Sequence, residues 1–206
     1  MRLCKLLCLF LLVSQSLLAQ KEANVWYFGK RAGFDFSSGS PKAIKGNMMD
    51  QWEGSSVLCD STGKVILYSD GQWVWNGNHQ LVANGQGLMG EQTATQSALI
   101  VAKPGSKSLY YLFTASHTAM HDGLFYNLID VTRQGGTGEV IEKNVLVHKP
   151  TSEKLTAYPH RNGRDTWILS HPWNTASFYA YLLTPNGLSL SPVVSQAGTF
   201  QGDYIK

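Results

Sequence analysis

Long apolar runs are scarce in this chain of 206 residues, and the longest stands near its start. It covers residues 6–13 and is broken by Ser14, Gln15 and Ser16, well short of the ~20 apolar residues that a membrane-spanning helix needs. With Arg2 and Lys5 ahead of it and Ser16-Leu17-Leu18-Ala19 behind, residues 1–19 read as a cleavable secretory signal peptide. An exported protein with no stable membrane span after cleavage is therefore expected, secreted or held at the cell surface. Cysteine is nearly missing too. Of three, Cys4 and Cys8 fall in the leader and Cys59 is left alone, which excludes an internal disulfide. Cys59 lies between Leu58 and the turn 60–63, the place of a buried strand cysteine rather than a nucleophile. A lipid anchor would require a cysteine directly after the cut, where Gln20 stands.

Charge of either sign is sparse. Arg2 and Lys5 are two of the 17 basic residues and no acidic residue precedes Glu22, so the remainder sets 15 basic against 14 acidic groups, a net +1. That balance excludes an electrostatic footprint for nucleic acid or anionic lipid, and the isoelectric point near 8.7 is largely the leader's. Helical periodicity is absent over any stretch longer than about a dozen residues, and no low-complexity tract marks a linker. One domain over residues 20–206 is expected.

What the sequence does contain is a cassette of strand, tight turn, strand, loop, strand and turn, present three times. The first runs through 55–59, the turn Asp60-Ser61-Thr62-Gly63, 64–68, Ser69-Asp70-Gly71, 72–75 and Asn76-Gly77-Asn78. The second has 98–101, Pro104-Gly105-Ser106, 109–113, a long loop from His117 to Gly123, and 124–129. The third has 155–158, Arg161-Asn162-Gly163-Arg164, 166–170, the loop His171-Pro172-Trp173-Asn174, 178–183 and Pro185-Asn186-Gly187. Asn and Gly force these reversals because they tolerate the positive φ of tight hairpin turns. Units of ~45 residues with four strands are the spacing of propeller blades. The expected fold is all-β, a partial β-propeller of about three and a half four-stranded blades, favoured over a sandwich because the cassette recurs. Strands near 24–29 and 32–36 read as outer strands lacking an inner partner. Fewer than four blades do not close, so a truncated reading frame is expected, with the missing blades supplied by the rest of a longer protein.

Trp26-Tyr27-Phe28-Gly29 with Ala32-Gly33-Phe34-Asp35-Phe36, then Glu53-Gly54, Tyr68-Ser69-Asp70-Gly71, Val74-Trp75-Asn76, 95–101 and 153–157 form an ordered set that resembles the N-terminal propeller of large Bacteroidetes surface proteins. Those proteins usually end in a type IX secretion or gliding-motility-associated sorting domain. The resemblance implies export across the outer membrane and display or release at the surface. The sorting domain itself is not in this chain.

Propeller geometry places the loops between second and third strands on one face with the segments leading into each inner strand. The loops bring Asp70, then His117, His121 and Asp122, then His171 and Trp173. The leading segments bring Asp50, Trp52 and Glu53, then Gln96, then Glu153, with Glu53, Gln96 and Glu153 at equivalent points. As candidate ligand-binding residues we take Glu53, Asp70, Gln96, His117, His121, Asp122, Glu153, His171 and Trp173. Glu53, Gln96 and Glu153 equally suit hydrogen bonds that tie one blade to the next. His117, His121 and Asp122 are competent metal ligands, but their spacing aligns them only on a helix, so no metal is expected and no cofactor. Paired carboxylates among Glu53, Asp70, Asp122 and Glu153 would serve glycoside cleavage. No nucleophile elbow or phosphate-cradling loop is present. The expected function is a non-catalytic adhesion or binding module for a glycan or surface protein. A carbohydrate-active enzyme and a fragment without independent function are the alternatives.

Overall fold

The computed structural model describes residues 21–116 and 123–201, the side chains at 198, 199 and 201 apart. The expected signal peptide and the candidates His117, His121 and Asp122 lie outside the described residues. Strands take 55% of the described residues and helix 4%, which makes the fold all-β.

Three antiparallel meanders follow one another. The first comprises β4 (Ser56–Cys59), β5 (Val65–Ser69), β6 (Trp73–Asn76) and β7 (Leu81–Gln86), and it is preceded by a smaller sheet of β1 (Val25–Phe28), β2 (Lys30–Asp35) and β3 (Lys42–Asp50). The second comprises β8 (Ala98–Ala102), β9 (Leu109–Ala115), β10 (Leu124–Asp130) and β11 (Glu139–His148). The third comprises β12 (Leu155–Pro159), β13 (Thr166–Ser170) and β14 (Thr175–Thr184), whose free edge takes both β15 (Gly187–Leu188) and β16 (Val193–Gln201).

Side-chain acceptors set the hairpins. Asp60 Oδ1 accepts from the Thr62 and Lys64 amides at 2.8 and 3.1 Å, Asn76 Oδ1 from Asn78 and Gln80 at 2.9 and 3.1 Å, and Asn162 Oδ1 from Arg164 and Asp165 at 3.0 Å each. The same Asx chemistry thus turns the chain in both outer meanders of the repeat.

Two expectations need correction. The first and second meanders are not separate sheets: β7 and β11 pair in parallel at Ala83 and Glu139, which joins them into one eight-stranded, nearly closed, barrel-like sheet. Ala83 donates its amide to Gly138 O at 3.0 Å, and Asn84 Nδ2 reaches Val140 O at 3.1 Å, so unused polar groups of two outer edges satisfy each other. The edges β4 and β8 also meet, where the Ile100 amide donates to Ser56 Oγ at 3.0 Å. Likewise β1 does not await an inner partner. It lies beside β4 as β4 lies beside β8, with Ser55 Oγ donating to Tyr27 O at 2.9 Å.

The core sits between successive meanders, and strand alternation feeds it from both sides. On β9, Tyr110 and Leu112 join Leu67, Val74 and Val82 of the first meander, whereas Tyr111, Phe113 and Ala115 join Ile168, Tyr181 and Leu183 of the third. On β5, Leu67 faces forward while Tyr68 turns back to Met49 and Trp75, packing on Tyr27 of the first sheet. Cys59 is buried as a small strand residue, and desolvation pushes its thiol pKa up.

Candidate functional site

The segments leading into β4, β8 and β12 meet the turns that follow β5 and β13 at one end of the sheets. Gly54 donates its amide to Ala94 O at 3.1 Å, Gly90 to Gly71 O at 3.0 Å, and Ser152 to His171 O at 2.8 Å. Ser97 Oγ donates to Asp70 O at 2.8 Å. Glu53, Asp70, Gln96, Glu153, His171 and Trp173 are thus assembled at this end, on backbone that is pinned from several directions.

Their roles differ. Asp70 is 3% exposed. Its Oδ1 accepts the amides of Gln72 at 3.0 Å and Trp73 at 2.8 Å, so it builds the turn into β6. Burial raises the Asp70 pKa, and the backbone donors oppose that rise. Gln96 Oε1 accepts from the Leu155 amide at 2.7 Å. Glu153 Oε2 accepts from Thr95 N at 2.8 Å and from Thr95 Oγ1 at 2.5 Å. Gln96 and Glu153 therefore tie the second meander to the third. His171 is buried with its ring edge-on to Phe178 at 4.8 Å. Trp173 is half-buried, and Glu53 is exposed.

Removing the Glu153 tie leaves two Thr95 donors that water can reach. Glu153→Ala is expected to cost about 1 kcal/mol, and Glu153→Gln, which keeps a carbonyl acceptor, less than half of that. Urea unfolding of the three proteins measures it. Equal loss for both variants would mean the carboxylate's charge, not its acceptor, holds the contact.

Two features of this end escaped the candidate set. Trp52 is 68% exposed on a segment held by Gln51, whose amide donates to Gly29 O at 3.1 Å and whose side chain donates to Gly54 O. Gln92 Nε2 adds a bond to Asp50 O at 2.9 Å. A tryptophan between polar neighbours in a turn segment was the available signal. The second feature is polar: buried Gln51 Oε1, Thr114 Oγ1, Ser170 Oγ and His171 Nδ1 have no hydrogen-bond partner among the described residues. Such atoms in a folded protein are commonly met by ordered water.

Two open clefts lie elsewhere. One of about 330 Å³ runs along Val25, Tyr27 and Ser55, and one of about 230 Å³ is framed by Asp60, Asn76 and Thr137. Neither is lined by a candidate residue. Among the described residues no group of three His, Cys, Asp or Glu side chains is placed to hold a metal ion, and no helix is long and apolar enough to cross a membrane. Comparison with family models, with curated proteins and with solved structures finds no match to this chain.

Proposed function

We propose that this chain is a non-catalytic binding module of an exported protein, built as part of a β-propeller and recognising a glycan at the end where β4, β8 and β12 begin. The observation that carries the reading is Trp52. An indole 68% exposed gains nothing for the fold, yet its backbone is pinned on both sides. An exposed indole on a pinned backbone offers a stacking surface for the apolar face of a sugar ring. The adjacent Glu53 is exposed, a carboxylate that suits hydroxyl-bearing ligands. Of the carboxylates expected to work as a pair, Asp70 is enclosed in its turn and Glu153 is engaged by Thr95, which favours binding over cleavage.

The propeller reading draws support from meanders that stack face to face with β1, β4, β8 and β12 side by side. Export and surface display rest on residues 1–19 and on the resemblance to Bacteroidetes surface proteins with type IX or gliding-associated sorting domains. A glycan array followed by titration of the best oligosaccharide tests the function. Trp52→Ala is expected to weaken binding at least tenfold with the urea midpoint unchanged, because an exposed side chain carries little stability. Sugar release from the bound glycan, or binding indifferent to Trp52→Ala, overturns the proposal.

A further inference from the structure

The two meanders of the eight-stranded sheet pack against neighbours on both faces, but among the described residues the first and last sheets each keep one apolar face in the open. On the first sheet Tyr27 turns toward Tyr68 of the next, which leaves Trp26, Phe28 and Phe34 outward. Trp26 pairs in register with Phe34, so the three share one face, and Trp26 is 54% exposed. On the last sheet Ile168, Tyr181 and Leu183 pack on the second meander. The opposite face carries the in-register row Tyr158, Trp167 and Leu182, with Phe178 and Val193 beside it, and Tyr158 is 69% exposed.

We propose that two copies of this chain associate head to tail, the Tyr158 face of each packing on the Trp26 face of the other, to close one ring of eight sheets. The inference rests on the propeller reading above. Three properties of the molecule argue for a second copy as the occupant. The two open faces are the two halves of an interface the chain already makes three times internally, with aromatic and aliphatic side chains from one sheet meeting those of the next. They stand at opposite ends of the stack and differ from each other, so the contact is heterologous, and a twofold rotation closes it into a dimer with two identical interfaces. Four stacked sheets per chain, the eight-stranded sheet counting as two meanders, make eight in the pair, within the four to eight blades that closed propellers use. The area is adequate too. Aromatic side chains bury ~150–250 Å² each when fully enclosed and those on the two faces are about half exposed, so they offer roughly 600 Å² per interface and roughly 1,200 Å² over the two interfaces of the ring, the lower end of what stable association uses.

The test is the mass of the chain in solution, expressed from its own first residue so that any leader is removed by the cell. Sedimentation equilibrium at micromolar concentration is expected to give twice the monomer mass. Trp26→Glu and Tyr158→Lys each place a charge in both interfaces and are expected to raise the dissociation constant about 100-fold or more. Circular dichroism and the urea midpoint at low protein concentration establish that each variant is folded. An equimolar mixture of the two variants is expected to recover the dimer, because one of its interfaces is then unaltered on both sides. A dimer that survives Tyr158→Lys but not Trp26→Glu joins like faces and overturns the proposal. So does a monomer at all concentrations, whose open faces would await further sheets of a longer polypeptide, and so does an open series of larger species. Glycan binding through Trp52 by such a monomer would sink the ring and leave the binding site standing; a dimer that binds no glycan would do the reverse.

Discussion

Gly71→Ala is expected to leave the chain largely unfolded in buffer where Gly163→Ala remains native. Both glycines have positive φ, +90° and +70°, so both substitutions carry the backbone cost of about 1 kcal/mol or somewhat more. Their surroundings differ. A Cβ on Gly163 meets nothing within 4 Å, whereas on Gly71 it stands 1.9 Å from Ser97 Oγ and 2.9 Å from Ser97 O. The Ser97 hydroxyl cannot swing aside without giving up its bond to Asp70 O, a buried contact. Loss of that bond adds about 1–3 kcal/mol and the overpacking a similar amount. The total of about 3–7 kcal/mol is comparable with the whole stability of a marginally stable domain. Urea or thermal unfolding of the two variants makes the comparison. Adding Ser97→Ala to Gly71→Ala removes the nearest atom and is expected to recover part of the loss, since adjacent sites couple. Equal midpoints for Gly71→Ala and Gly163→Ala would show that the end of the sheets is not packed as described.

The second large effect is a loss of stability in mild acid, traced to one histidine. His148 ends β11 and stacks on Tyr181 of β14, ring centroids 5.7 Å apart and planes 8° apart. Its Nδ1 lies 2.9 Å from the Tyr181 hydroxyl, while Nε2 is buried without a partner among the described residues. Burial lowers the His148 pKa from 6.5 to about 4, because the imidazolium would carry an N–H with no acceptor. The unfolded chain therefore takes up a proton near pH 6.5 that the folded chain refuses until about pH 4. Stability is fully present above pH 6.5 and falls progressively toward pH 4, by roughly 3 kcal/mol in all. Asp70 acts in the opposite sense in the acid part of this range, above its ordinary value near 3.8, since its raised pKa lets the folded state bind a proton more readily than the unfolded state does. Urea midpoints between pH 4 and 8 are expected to drop across this window in the native chain. In His148→Phe, which keeps a ring on Tyr181, the curve flattens while overall stability falls from the lost hydroxyl contact. A native curve flat from pH 7 to 4 would contradict the buried, neutral imidazole.

These two sites differ in how legible they were. The turn Ser69-Asp70-Gly71 announces itself in sequence, because Asp followed by Gly between strands is turn chemistry. That Gly71 is wedged beside Ser97, 26 positions on, has no local signature. His148 gave even less: a histidine at a strand end is ordinary, and its character comes from Tyr179 and Tyr181 of another meander, which close around it. Among the candidate residues, equivalence within the repeat grouped Glu53, Gln96 and Glu153. It did not separate the exposed Glu53 from the two that accept hydrogen bonds across to a neighbouring meander.

Taken alone, the order of the residues determined the all-β class, the position of the hairpin turns and the threefold cassette. These follow from local rules: Asx and glycine turn chemistry and strand-forming side chains act within a few residues of each other. The joining of two meanders through β7 and β11, the place of β1 beside β4, the enclosure of Asp70 and the exposure of Trp52 were decided only in three dimensions. Each depends on which strand edge or sheet face lies opposite, and that is set by packing between residues far apart in the chain.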